Sequence, residues 1–247
     1  RSVSSAASDV YKRQELILSD LSIVEKLYQK AQKNTKSGQK EGMPMKELVE
    51  KILTALKEGT SLRKLTFGKE ELVLLKNFQL LTLKPVLYVA NVNESGFENN
   101  PHLDLILDYA TQDHSKVVPI CAEIEAEICE LSNDEKKEFL LEMGQNESGL
   151  DRLIKAGYDL LGLHTYFTAG EKEVKAWTIT VGDSAPVAAG KIHTDFEKGF
   201  IRAETISFQD YIDYKGEKGA KDAGKLRTEG KDYIVKDGDI MHFLHNT

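Results

Sequence analysis

A chain of 247 residues can hold one large domain or two small ones. Its balance of 30% charged and 40% hydrophobic residues is that of an ordinary globular protein, and no apolar run approaches the ~18 residues of a membrane span, which excludes a helical membrane protein. The net charge of −7 argues against a general, charge-driven nucleic-acid binder but leaves room for a local basic patch that docks on RNA. The two cysteines, Cys121 and Cys129, make neither a disulfide framework nor a zinc site. They read as buried free thiols, and with no secretory signal in view the expected location is a reducing cytoplasm.

Residues 1–14 (RSVSSAASDVYKRQ) are small and polar, then abruptly basic, without a period. They are expected to be disordered or foreign to the protein and are set aside from the fold. From Glu15 to about Lys36, Leu18, Leu21, Ile23, Val24, Leu27, Tyr28 and Ala31 recur at mixed three- and four-residue steps, which predicts an amphipathic helix. Gly38–Gly42 is a polar break. Pro44 then opens a second helix with Leu48, Val49, Ile52, Leu53 and Leu56 on one face and Gly59 beyond its end. The pair reads as an antiparallel hairpin, either packed or projecting as a coiled-coil arm. A third helix is expected over Lys69–Leu81.

The pattern changes at Lys84. Pro85–Ala90 is a short apolar run of the kind found in a buried parallel strand, followed by a helix over about Pro101–Gln112 and a second apolar strand, Val117–Cys121. The next helix, Ala122–Leu131, completes a β-α-β-α order, which predicts a parallel sheet with ligands at the carboxyl ends of its strands. Asn91-Val92-Asn93-Glu94 sits at one such end and Cys121-Ala122 at the next. An Asn there can meet a purine edge through its amide, and an apolar neighbour can pack on the ring. In guanine-specific P-loop proteins this loop reads Asn-Lys-x-Asp; here Val92 replaces the Lys and Glu94 the Asp, which points to a relaxed or adenine-preferring site. No Gly-x-x-x-x-Gly-Lys-Ser/Thr string occurs in the sequence, so the phosphate cradle is missing from it.

Ser132 with Glu135 forms a capping box opening a helix to about Met143, and Ser148 caps another. Glu123, Glu125, Glu127 and Glu130 read as a solvated acidic face. From Leu163 strands resume: Val174–Val181, then a helical turn over Ala185–Ala189 with Gly190 past its end, then Phe200–Ile206. Lys215–Gly224 is polar and Gly-rich. Lys231–Val235 and Ile240–Leu244 flank the turn Lys236-Asp237-Gly238-Asp239, a hairpin signal. Four or five strands with little helix suggest a β-grasp-like module. His193-Thr194-Asp195-Phe196-Glu197 lacks a nucleophile and reads as structural or docking. Lys215, Lys218, Lys221, Lys225, Arg227 and Lys231 form a local basic set.

From Glu15 onward the sequence resembles the YchF / Obg-like ATPase family of ribosome-associated P-loop proteins. The likeness is carried by Glu15-Leu16-Ile17-Leu18-Ser19-Asp20-Leu21, by Lys84 to Glu94, by Glu123-Ile124-Glu125-Ala126-Glu127-Ile128, and above all by Thr165–Glu204 with its His193-to-Phe200 segment. Glu229-to-Tyr233 and Asp237-Gly238-Asp239 complete it. The resemblance implies the C-terminal part of a P-loop G domain, α/β with a parallel sheet and a helical coiled-coil insertion, followed by an α+β TGS domain of β-grasp type. It divides the chain into 15–83 (insertion and return helix), 84–140 (G-domain part), 141–162 (helical connection) and 163–246 (TGS domain). Carried over residue by residue, Asn91, Val92 and Glu94 would line the adenine of ATP, with Cys121 and Ala122 as the second base-side loop. Cys121 stands where the family usually has Ser, and Glu171 where an apolar residue is expected. Mg²⁺ ligands, P-loop and switch segments match nothing in the sequence, so this polypeptide is expected to lack the ATPase activity of its family. The implied partner is the ribosome, on its large subunit, with rRNA contacts through the TGS domain and coiled coil and none to a membrane. The alternative is a non-catalytic RNA- or ribosome-binding module made of the same two parts.

Overall fold

A computed structural model describes residues 3–36, 43–170 and 172–246, so the expected break at Gly38–Gly42 and the departure at Glu171 lie outside the described residues. The chain divides into two compact units, Arg1–Arg152 and Leu153–Thr247.

The first unit begins with two helices, α1 (Val3–Lys36) and α2 (Met43–Lys57). Residues 3–14, expected to be disordered or foreign, are helical and continuous with the rest of α1. Nothing in Ser-Ala-Ala-Ser-Asp-Val-Tyr-Lys-Arg-Gln breaks a helix, and propagation onto an existing helix needs no new nucleus. Arg13, Ile17 and Leu21 of α1 line one cavity with Leu56 and Lys57 at the end of α2, and Leu27 lies further along α1 in the same core, so the pair is antiparallel. Leu48, Val49, Ile52, Leu53 and Leu56 of α2 are buried against Ile17, Leu21, Val24 and Leu27 of α1. Each such side chain contributes roughly 1.5–3 kcal/mol, so this seam dominates the local energetics. Gly59 (φ +74°) ends α2 by returning its N–H to the Leu56 carbonyl.

The third helix, α3, spans Lys69–Lys76 and stops short of the expected Leu81. Its continuation is diverted by Gln79 at φ +49° and by a single 3₁₀ turn over Leu81–Leu83. The diversion has a cause on α1. The fully buried Asp20 carboxylate accepts the Leu81 N–H (2.8 Å), the Thr82 N–H (2.7 Å) and the Thr82 hydroxyl (2.6 Å). Three donors on one carboxylate outweigh the last turn of a short helix.

Next come β1 (Leu87–Asn91), α4 (Pro101–Gln112) and β2 (Lys116–Ile120), with β1 and β2 paired in parallel as expected. Asn100 caps α4, its Oδ1 accepting from the His102 and Leu103 N–H groups, and Pro101 occupies the first turn. The strand expected to be buried is half open. Tyr88 meets Tyr109 of α4 edge-on at 6.1 Å and Ala90 is buried, but Val89, pointing to the other face, is 46% exposed. Helices α5 (Ala122–Glu130) and α6 (Asn133–Glu142) then close a small core of Cys121, Ile124, Ile128 and Leu140. The Ser132/Glu135 box forms as expected, with Ser132 donating to Glu135 Oε2 from both backbone (2.9 Å) and hydroxyl (2.6 Å). Helix α7 (Gly149–Leu161) starts in the first unit and ends in the second.

The second unit is a five-stranded mixed sheet, ordered β4-β3-β7-β5-β6. Its strands are β3 (Leu163–Ala169), β4 (Val174–Thr180), β5 (Phe200–Ile206), β6 (Arg227–Glu229) and β7 (Ile240–His245). Only the central β3–β7 pair is parallel; all other pairs are antiparallel, the β-grasp arrangement the sequence predicts. Helix α8 (Ala185–Ile192) packs Ala185, Ala188 and Ala189 onto Tyr166, Ile179 and Phe243. The Tyr166 hydroxyl donates to the Ala188 carbonyl at 2.8 Å. Gly190 lies inside α8 rather than past its end.

Two expectations change here. Lys231–Val235 is not a strand, and no 231–244 hairpin forms. Ile234 makes one bridge to Ser184, Ala185 donates to the Tyr233 carbonyl (2.8 Å), and Val235 donates to Asp183 (3.1 Å), so the segment crosses the start of α8. The Asp-Gly turn does exist, with Gly238 at φ +80°, but its N–H goes to Thr165 of β3 (2.7 Å), the true neighbour of β7. The unit also carries more helix than expected, α9 (Thr194–Lys198) and α11 (Glu217–Asp222), the latter inside the Gly-rich stretch, while α10 (Phe208–Asp213) covers Asp210-Tyr211-Ile212, which the sequence reads as a helical turn or loop.

Candidate functional site

The two strand ends singled out in the sequence meet. Asn91 is the last residue of β1, and its Oδ1 accepts the backbone N–H of Ala122, the first residue of α5, at 3.1 Å. The parallel register places Asn91 opposite Ile120, and Val92 donates to the Ile120 carbonyl at 2.8 Å. The loop after Val92 is closed on itself. Gly96 donates to the Asn93 carbonyl (2.9 Å), and the Asn100 amide Nδ2 donates to the Gly96 carbonyl (3.0 Å). A Cβ at position 96 would lie 2.5 Å from Asn93 Oδ1 and 3.1 Å from Val92 Cβ, so a side chain there requires the Asn93 side chain to move and the turn to give slightly.

Asn91, Asn93 and Glu94 are exposed and Val92 is half-buried, so the loop offers polar groups to a ligand without dismantling the core. Asn91, Val92, Gly96 and Asn100 line one pocket of about 500 Å³. Glu94 lines its neighbour, of about 510 Å³, with Phe97, Met143, Gln145 and Arg152. Ser95 and Glu98 belong to both, so the loop is their common wall. The structure thus ties Asn91 to Ala122 and puts Asn91 and Val92 on one pocket and Glu94 on the adjoining one. Cys121 is buried in the α5–α6 core, its side chain capping nothing, so whatever it offers a ligand comes from its backbone. Cys129, expected to be buried, is exposed. Among the described residues no group of three or more His, Cys, Asp or Glu side chains could hold a metal ion.

Three carboxylates have roles that local sequence pattern does not show. Glu125, expected on the solvated acidic face, accepts from Gly149 N (2.6 Å) and Leu150 N (3.1 Å) and so caps α7. Glycine at 149 permits this, since a Cβ there would meet Glu125 Oε1 at 2.8 Å. Asp20, which holds the 3₁₀ turn at Leu81, is the second. Asp113, at the end of α4 and 1% exposed, takes Arg63 Nε at 3.0 Å, the Tyr88 hydroxyl at 3.2 Å and Lys64 at 3.5 Å. Burial alone would raise its pKa, but Arg63, by hydrogen bond and by charge, and then Lys64 and Tyr88, outweigh it and hold the carboxyl below its ordinary value. The basic set is partly spent internally: Lys225 pairs with Asp210 (3.3 Å), and Arg227 with Asp239 (3.5 Å) and the Tyr233 hydroxyl (3.2 Å). His193 accepts the Asp195 N–H through Nδ1 (3.2 Å) and opens α9, the structural role expected of it.

A parallel strand–helix pair with a base-loop-like strand end, a helical hairpin before it and a β-grasp unit after it define a GTPase-like, multi-unit protein. The comparisons narrow the class. A protein-family model described as YchF-GTPase_C, a protein of unknown function (DUF933), matches residues 163–246. The chain is 57% identical over 232 residues to the ribosome-binding ATPase YchF of Shigella flexneri, and 48% identical over 235 residues to that of Bacillus subtilis. Each match covers 94% of this chain and 64% of the relative. It is also similar to the structure of the Schizosaccharomyces pombe YchF GTPase, with a TM-score of 0.81 at 32% identity, covering 95% of this chain and 64% of that one. The chain is thus similar to the YchF family along nearly all of its length, and it spans 64% of the length of these curated relatives.

Proposed function

We propose that the chain carries the base-reading and docking parts of a cytoplasmic, ribosome-binding ATPase that prefers ATP to GTP. The observation that supports this most directly is the Asn91–Ala122 contact, because it fastens together two loops at the carboxyl ends of adjacent parallel strands. With Oδ1 spent on Ala122, Asn91 keeps its Nδ2 donor for a purine ring nitrogen. Both adenine and guanine present such an acceptor, so Asn91 anchors a purine without choosing it. Choice falls to the neighbours. Val92 shares the pocket with Asn91 and offers a ring face only an aliphatic surface. Glu94 lines the neighbouring pocket rather than the one that Asn91 and Val92 share. Cys121 and Ala122 complete the base side through their backbone.

Magnesium would accompany the phosphates of ATP; the described residues hold no cluster suited to it, and no step is assigned to it in this chain. With no P-loop string in the sequence, hydrolysis by this polypeptide alone is expected to be undetectable. Docking on the ribosome, on the large subunit with rRNA contacts, is assigned to the helical hairpin and to the β-grasp unit as a TGS domain. Lys215, Lys218, Lys221, Lys225 and Lys231 are the exposed cations of that unit's basic set, Lys225 being paired with Asp210. A second reading, a non-catalytic ribosome- or RNA-binding module, is favoured by the family match to 163–246, which lies wholly within that unit.

The deciding experiment joins the chain to an upstream P-loop half-domain and measures ATP against GTP turnover. Val92→Lys should move the preference toward GTP by about ten-fold, and Glu94→Asp alone by less, because only Val92 shares the Asn91 pocket. Unchanged selectivity in the double variant sinks the base-site reading. Co-sedimentation of the chain itself with ribosomes, but no nucleotide-dependent turnover in the joined protein, favours the second reading.

A further inference from the structure

Away from the strand ends, the first unit contains a cavity of about 660 Å³ that the base site does not use. Its floor is Ile17 and Leu21 of α1 and Leu56 of α2, with Leu18, 61% exposed, beside them. Arg13, Lys57 and Lys64 also line it, and Asp113 is the one carboxylate among its lining residues. That carboxylate is already satisfied. Arg63, which does not line the cavity, neutralises it at 3.0 Å, and the Tyr88 and Ser115 hydroxyls each donate to it at 3.2 Å.

Of the three lining cations Lys64 also pairs with Asp113 at 3.5 Å, which leaves Arg13 and Lys57 in excess, in a chain whose net charge is −7. Two of the three are held in place. The Arg13 guanidinium lies 4.2 Å from the centre of the Tyr109 ring, and Lys64 Nζ lies 6.0 Å from the same ring. Lys57, in the last turn of α2, is exposed.

Size, floor and charge together define the guest. The volume falls within the ~300–1,000 Å³ of small-molecule sites. An aliphatic floor rewards an apolar body and has nothing to pair with the polar edges of a base. Three cations at its border repel a cationic amphiphile and attract an anion. We propose that this cavity binds a small amphipathic monoanion. The aliphatic or aromatic body lies on Ile17, Leu21 and Leu56, and the carboxylate or phosphate head lies among Lys57, Lys64 and Arg13. The site is independent of nucleotide binding and would be occupied in a chain that hydrolyses nothing.

Calorimetric titration of the full chain with decanoate, decanol and decyltrimethylammonium, each below its micelle concentration, tests the proposal. Decanoate should bind at one site, decanol at least about ten-fold more weakly, and the cation not detectably. Lys57→Glu should weaken decanoate by about ten-fold and Leu18→Glu should abolish its binding. Both positions are exposed, so unchanged far-UV circular dichroism shows that the fold survives. Equal binding of decanol and decanoate, decanoate binding untouched by both variants, or no decanoate binding at all overturns it.

Discussion

Asp20 makes the sharpest demand on the first unit. It sits on α1, fully buried, and holds the chain 62 residues later by two backbone amides and a hydroxyl. A hydrogen bond to a charged acceptor is worth about 1.5–3 kcal/mol net, so three would sum to about 4.5–9 kcal/mol if they added. They do not add. Leu81 is only half-buried and its amide can take water once the carboxylate is gone, whereas the buried Thr82 amide and hydroxyl cannot do so as easily. Asp20→Ala should therefore cost about 3–5 kcal/mol. Asp20→Asn should cost about 2–3 kcal/mol, because one acceptor survives while an amide NH₂ is turned on a backbone donor. Thr82→Val, which removes one donor and keeps the shape, should cost about 1 kcal/mol and lose that cost in the Asp20→Ala background. The measurement must separate the units, since one two-state transition cannot be assumed for both. Trp177, the only tryptophan, lies in the second unit, so its fluorescence is the internal control. Helical circular dichroism and amide exchange at Leu81 and Thr82 report the first. A loss below about 1 kcal/mol for Asp20→Ala, with unchanged protection at those amides, would show that the carboxylate does not hold the turn.

Other outcomes follow from the same geometry. Asp113→Ala leaves Arg63, with its side chain 10% exposed, without its partner and should cost about 3–5 kcal/mol in denaturant titration of the first unit. Because the Asp113 pKa is lowered on folding, its contribution is complete above the ordinary carboxylate value and fades as pH falls from about 4 through the lower folded value; acid titration of Asp113→Asn should lack that part of the pH dependence. Glu125→Gln keeps one acceptor for two donors and should cost about 1–2 kcal/mol, with faster exchange at the Gly149 and Leu150 amides as the local readout. Tyr166→Phe removes the hydroxyl from the Ala188 carbonyl and should lower the Trp177-monitored stability of the second unit by about 1 kcal/mol.

The residues that the sequence could and could not assign differ in one physical respect. Local periodicity found α2, α4, β5 and the Ser132/Glu135 box, because each is decided by neighbours three or four positions away or by the strand alternation. Asp20, Asp113 and Glu125 are also on helices or at their ends, but their partners lie 62, 50 and 24 residues distant. An acid between apolar positions looks the same in sequence whether it faces water or a remote amide. The misplaced hairpin has the same origin. Asp237-Gly238 is a good turn, but Gly238 donates to β3, more than seventy residues earlier, and that parallel neighbour carries no local signal.

The proposed base loop obeys the opposite logic. Asn91, Val92 and Glu94 are exposed or half-exposed at a strand end, where packing imposes little, so polar residues there invite a chemical reading. Asn91 is tied to Ala122 and lines one pocket with Val92, while Glu94 lines the adjoining pocket with Phe97 and Arg152. On the proposed reading, a purine anchored by Asn91 would be discriminated first by what replaces the guanine-loop lysine, the aliphatic Val92, and only secondarily by the acid. Single substitutions at the two positions should separate these contributions, and the larger effect belongs at position 92.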